Sequence, residues 1–215
     1  MNRIRIILAD DHVVVRQGLR SLIDQQKDLL VVGEADDGLQ LLESVGKLRP
    51  DVALVDLKMP NLNGIDAAEE IRRRFPNTHV VILTMHADRS YVERAIQAGV
   101  AGYVLKEENI GEMCTAIRHA ARGDRYLSSG VSRQLHGSLD EGKAHLNPVP
   151  QLTIRERQVF QLVAEGKTSA EIARLLNISI RTVEGHRAHM MAKLNLKSHV
   201  DFVRFALKNG ILEEK

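Results

Sequence analysis

Val52-Ala53-Leu54-Val55-Asp56 is an unbroken apolar run that stops on a carboxylate. Its length suits a strand, and the lack of polar alternation suits a strand covered on both faces of a parallel sheet. Outward from it, similar runs stand at Ile4–Leu8, Leu30–Gly33, Val80–Leu83 and Gly102–Leu105. Amphipathic stretches separate them. The first carries Val13, Val14, Leu19, Leu22 and Ile23 as an apolar stripe, the pattern of a helix lying on a sheet. Five strands alternating with five helices predict an α/β fold. We expect a doubly wound five-stranded parallel sheet of flavodoxin-like order 2-1-3-4-5, with its site beyond the carboxyl ends of the strands.

That order places the first and third strands side by side. Asp10 and Asp11 follow the first and Asp56 ends the third, so three carboxylates converge. Alone they repel one another and hold their protons more tightly. A hard divalent cation relieves this, and Mg²⁺ suits a few carboxylates completed by water and phosphate oxygens. Thr84 ends the fourth strand and Lys106 follows the fifth. A hydroxyl and a compact cation facing the same pocket are the groups needed to hold a phosphoryl group on a carboxylate. Helix capping explains any one Asp and solvation any one Lys, but neither explains five such residues at the ends of four strands.

After residue 122 the pattern changes. Gly, Ser and Pro punctuate residues 123–149, which read as a linker with a short helix around Val131–Leu135. From Pro150 onward the chain is helical throughout. Thr153/Glu156 and Thr168/Glu171 are spaced as capping boxes. Gly166 suits a helix end, and Ser179 can cap a helix running from Ile180 to about Leu194. Ser198 starts a last helix. Four short helices with a tight turn between the second and third predict a helix-turn-helix.

Residues 1–122 resemble the receiver domain of two-component response regulators, through Leu8-Ala-Asp-Asp-His12, Val55-Asp-Leu-Lys-Met-Pro60, Leu83-Thr-Met85 and Gly102-Tyr-Val-Leu-Lys106. Residues 150–212, within a domain expected to span 150–215, resemble the LuxR-type helix-turn-helix of the NarL/FixJ class, through Leu152-Thr-Ile-Arg-Glu-Arg157, Glu171-Ile-Ala173, Thr182-Val183, His186 and Lys193-Leu194. The resemblance implies that Asp56 accepts a phosphoryl group from a sensor histidine kinase. It implies Mg²⁺ ligation by Asp11, Asp56 and the backbone carbonyl of Lys58, with Asp10 acting through water. Thr84 and Lys106 are implied to bind phosphoryl oxygens, and Tyr103 to be the aromatic switch. Lys58 and His86 fall where the family varies and tunes phosphate lifetime. Met85 is bulkier than the small residue often found there, which would restrict access to Asp56.

In the helix-turn-helix, Val183, Met190 and Leu194 follow core spacing. That leaves Arg181, Thr182, Glu184, Gly185, His186, Arg187 and Ala188 toward double-stranded DNA or its flanks. Glu184, Gly185 and Ala188 occupy base-facing positions without a Lys or Arg, so readout would rest on Glu184 to cytosine, thymine methyl contacts or DNA shape. His186 and His189 lack a third metal ligand and read as a phosphate or packing contact and a surface residue. Val203, Ala206 and Leu207 suit either a homodimer seam or packing within the domain.

Composition bounds the rest. Residues 148–215 hold eleven Lys and Arg against seven Asp and Glu, whereas residues 1–147 hold 19 against 21. A modestly basic C-terminal part is compatible with nucleic acid. Cys114, the one cysteine, excludes an intrachain disulfide and sits on an apolar helical face. No apolar run reaches the ~18 residues of a membrane helix, so a cytoplasmic protein is expected. A haloacid-dehalogenase-type enzyme also phosphorylates an Asp, but wants a second Asp where Lys58 stands, so a non-enzyme is expected. A ligand-sensing LuxR-type regulator would have no need of the acidic pocket.

Overall fold

The computed structural model describes residues 3–86, 88–137 and 152–208. The chain divides into two units, Met1–Ala144 and His145–Lys215.

The first unit is a parallel sheet wrapped by helices. In chain order it runs β1 (Ile4–Ala9), α1 (Val13–Asp24), β2 (Leu29–Ala35), α2 (Gly38–Leu48), β3 (Val52–Asp56), α3 (Gly64–Arg74), β4 (His79–Thr84), α4 (Arg89–Ala98), β5 (Gly102–Leu105), α5 (Ile110–Ala121), β6 (Tyr126–Leu127) and α6 (Ser129–Gly137). The strand order is β2-β1-β3-β4-β5-β6, parallel throughout. Successive strand residues serve opposite faces. Ile7, Ala53, Val55, Ile82 and Tyr103 join one core with residues of α2, α3 and α4. Ile6, Leu8, Leu54, Val81, Leu83 and Val104 join the other with Ile23 of α1 and Met113 and Ile117 of α5. Cys114 is buried in that second core.

Two expectations change. Among the described residues the sheet has six strands, because the stretch read as linker from residue 123 begins with β6, while the short helix expected around Val131–Leu135 is present as α6. Tyr126 N donates to the Ala101 carbonyl at 2.8 Å and Ser128 N to that of Tyr103 at 3.1 Å. Val131 of α6 is fully buried in the receiver core. In α1 the apolar stripe is only partly used. Ile23 is buried and Leu19 packs beside it, but Val13, Val14 and Leu22 are exposed. A short helix on the rim of a sheet buries a narrower strip than its apolar residues span.

The second unit is α7 (Ile154–Ala164), α8 (Ser169–Leu176), α9 (Ile180–Leu194) and α10 (His199–Lys208). Both capping boxes form. Gly166 has φ +84° after α7, and Asn177 and Asn195 take left-handed backbone where α8 and α9 end. Asparagine tolerates that region better than most side chains. Ser179 accepts from Thr182 N at 3.0 Å, so α8 and α9 meet across a three-residue turn. Val183 and Met190 are fully buried, Leu194 half-buried. Phe160 stacks on Phe202 of α10 at 4.2 Å. Ala206 is also fully buried, which for this residue favours packing within the domain over a dimer seam. Among the described residues no helix is long and apolar enough to cross a membrane.

Candidate functional site: an acidic pocket and a recognition helix

Strand register assembles the pocket. Ala9 pairs with Val55, Asp56 with Leu83, and Thr84 with Leu105. Asp10, Asp56, Thr84 and Lys106 therefore reach one sheet end together, and Lys106 N donates to the Thr84 carbonyl at 2.8 Å. Asp10 and Asp56 are buried; Asp11 and His12 beside them are exposed. Lys106 Nζ lies 2.7 Å from Asp10 Oδ2 and 3.2 Å from Asp56 Oδ1. Leu57 N donates to Asp56 Oδ1 at 2.8 Å. The chain after Asp56 folds tightly back, with Gly64 N on the Leu57 carbonyl at 2.9 Å. A Cβ on Gly64 would lie 2.2 Å from the Asp56 carbonyl oxygen, so only glycine fits.

Burial pushes the pKa of Asp56 up to about 6, and Asp10 adds to the rise while Lys106 opposes it. Ligand atoms of Asp10, Asp11, His12 and Asp56 all lie within 4.8 Å of one another. Such a cluster, with one carboxylate resisting ionisation, fits a hard divalent cation. His12 was not singled out from the sequence; its Nδ1 stands 2.8 Å from Asp11 Oδ1. Lys58 is half-buried and Met85 is exposed. Thr84 is buried, and its Oγ1 accepts from His86 N at 3.2 Å. Tyr103 is fully buried, and its hydroxyl donates to the His86 carbonyl at 2.7 Å. One loop residue thus contacts both Thr84 and Tyr103.

On α9, Arg181, Thr182, Glu184 and Ala188 are exposed, and Gly185, His186 and Arg187 are half-buried. Burial, with Arg155 nearby, lowers the pKa of His186, which favours the neutral imidazole. Ser169, at the start of α8, was missed in the sequence. Its hydroxyl donates to Glu184 and accepts from Arg187 Nη1 at 3.3 Å. Fifteen and eighteen residues separate these partners, so only the fold reveals the link. Ile180 is likewise exposed at the start of α9.

Comparison with known proteins covers both units. The family model for the response regulator receiver domain matches residues 6–118. That for bacterial regulatory proteins of the luxR family matches residues 150–206. The oxygen regulatory protein NreC of Staphylococcus epidermidis is 36% identical over 216 residues, covering 97% of this chain and 99% of that protein. A structure of the RcsB response regulator of Salmonella typhimurium, described for its conformational dynamism in DNA interaction, is 30% identical with a TM-score of 0.61, covering 95% of this chain and 98% of that one. A structure of two RcsB dimers bound to two parallel DNAs is 29% identical with a TM-score of 0.61, covering 97% and 99%.

Proposed function

The chain belongs to the DNA-binding two-component response regulators that join a receiver domain to a LuxR-family helix-turn-helix, and from this premise we propose that phosphorylation of Asp56 controls its binding to DNA. The observation that carries the reading is the meeting of Asp10, Asp11, Asp56 and Lys106 at one sheet end. We assign residues 1–122, together with β6 and α6 that pack on them, as the phospho-accepting part, the stretch after α6 up to residue 149 as the connecting segment, and 150–215 as the DNA-binding part.

A carboxylate oxygen of Asp56 attacks the phosphorus of a phosphohistidine on the sensor kinase. The new P–O bond forms as the P–N bond breaks, and the imidazole leaves. Lys106, already 3.2 Å from Asp56, follows the negative charge onto the phosphoryl oxygens. The Thr84 hydroxyl donates a hydrogen bond to another of them. Asp10, Asp11, Asp56 and the Lys58 carbonyl would hold Mg²⁺, which when bound offsets the carboxylate charge and the phosphoryl charge. The protein acts as acceptor and regulator, not as an enzyme, and works in the cytoplasm. Tyr103, bonded to the loop after Thr84, carries the change to the face of α4 and β5.

The output is transcriptional control through double-stranded DNA. Arg181 and Arg187 serve phosphates, and Thr182, Glu184, Gly185 and Ala188 face bases or their flanks. RcsB dimers on DNA support a dimer here also, with half-sites about one helical turn apart. Incubation with acetyl phosphate and Mg²⁺ should add one phosphate to the wild type and none to Asp56→Asn, read by intact mass. Labelling that persists in Asp56→Asn, or a DNA mobility shift indifferent to phosphorylation, would overturn the assignment.

A further inference from the structure

Glu108 lies two residues beyond Lys106 and outside the acidic pocket. Its Oε2 accepts from Leu105 N at 3.2 Å. Its Oε1 accepts from Gly130 N at 2.7 Å and from the Ser129 hydroxyl at 3.3 Å. Burial pulls the carboxyl's pKa upward, but its hydrogen-bond donors outweigh this and hold it below the usual range. One side chain thus caps the start of α6 and braces the end of β5. Gly130 permits the close approach, since a Cβ there would lie 2.9 Å from Glu108 Oε1.

We propose that Glu108 is a positioning residue of the phospho-switch, coupling the loop that carries Lys106 to α6, the helix through which the chain leaves the receiver. The inference rests on Asp56 being the phosphoryl acceptor. Strand β5 holds Tyr103 and leads into Lys106, while its far edge carries β6, which leads into α6. Ser128 N bonds to the Tyr103 carbonyl, and Val131 is buried in the same core as Tyr103 and Leu105. An open cleft of about 420 Å³, lined in part by Glu107, Glu112 and Arg133, flanks the contact between this loop and α6. The loop therefore has room to shift. When a phosphoryl group draws Lys106 away from Asp10, the backbone from Leu105 to Glu108 follows. Glu108 then loosens its hold on Gly130, and the first turn of α6 opens more often.

Amide exchange on the full chain, with and without acetyl phosphate and Mg²⁺, tests this. In the wild type, exchange across residues 128–133 rises about fivefold on phosphorylation, the equilibrium equivalent of one lost cap. Glu108→Ala exchanges about fivefold faster from the outset and gains nothing further. Glu108→Gln is the discriminating variant. Its one carbonyl oxygen still accepts from Gly130 N, whereas its NH₂ faces the Leu105 N–H and cannot accept. Its unphosphorylated exchange stays within about twofold of wild type, yet its response to phosphorylation is lost. All three proteins take up one phosphate. A wild-type-sized response in Glu108→Gln, or none in phosphorylated wild type, overturns the coupling and leaves Asp56 as acceptor. Failure of the wild type to take up phosphate overturns the acceptor reading and this inference with it.

Discussion

A buried carboxylate from each unit, Asp56 in the first and Glu156 in the second, makes a pair that behaves oppositely. Asp56 is 7% exposed and its pKa is pushed up to about 6. Glu156 is 4% exposed, yet its carboxyl stays below the ordinary range despite burial. The difference lies in the donors. Glu156 accepts from Thr153 N at 2.8 Å and from Lys193 Nζ at 2.7 Å, and it completes a capping box. Asp56 receives one backbone N–H, shares Lys106 with Asp10, and faces that second carboxylate. A buried charge that is fully answered holds a fold together. One left partly unanswered holds a position at which an incoming cation or phosphoryl group finds its partner.

The largest test of this contrast is Glu156→Ala. It removes the capping box and leaves Lys193 unpaired, and should lower the stability of the helical unit by about 3 kcal/mol. Calorimetry of the full chain should show one transition moved down and the other in place. An unchanged transition would mean that Glu156 only fills space.

Asp56→Asn should act with the opposite sign. An acid whose folded pKa stands above its unfolded value costs stability at pH above the unfolded value. Metal-free stability of the receiver should therefore fall from about pH 4 to about pH 6 and level off beyond. At pH 7 without metal, Asp56→Asn should be more stable by on the order of 2 kcal/mol, allowing for screening. Mg²⁺ should restore the wild type and leave the variant unmoved. A wild type whose metal-free melting temperature rises across that range would break the comparison.

Glu184 sharpens it further, as an exposed carboxylate held by Ser169. Glu184→Ala should change the preferred base at one position by about 1 kcal/mol in a binding-site selection. Ser169→Ala should blur that same position with less loss. If both variants keep the wild-type preference, Glu184 reads no base. The smallest effect falls to Arg181→Ala. It should weaken all sequences alike and reduce the salt slope by about one. A change in sequence preference would place Arg181 against bases instead.

The sheet was legible because buried parallel strands leave unbroken apolar runs, and Asp56 was legible because its run stops on a charge. The members of the pocket follow from register, which the order of strands dictates. Strand β6 escaped because Tyr126 and Leu127 make no run, lying between Arg125 and Ser128. Apolar spacing overstated α1, where Val13 and Val14 look like core residues yet face solvent. The links from Ser169 to Glu184, Glu156 to Lys193 and Glu108 to Gly130 join residues 15, 37 and 22 positions apart. No periodicity encodes such pairs. They emerge only when helices have packed.

The two residues of β6 also decide where the chain can be cut. Shortening the protein at Arg122, where the helical pattern of α5 stops, would remove Tyr126, Leu127 and Val131 together. The backbone edge of β5 would lose its neighbour, leaving the carbonyls of Ala101 and Tyr103 without the amides that answer them. A hole would open in the core where Val131 sat. An uncovered strand edge beside an apolar hole invites a second copy to pair there. A fragment ending at residue 137 keeps that edge covered, and is the shorter piece to expect in solution as a well-behaved monomer.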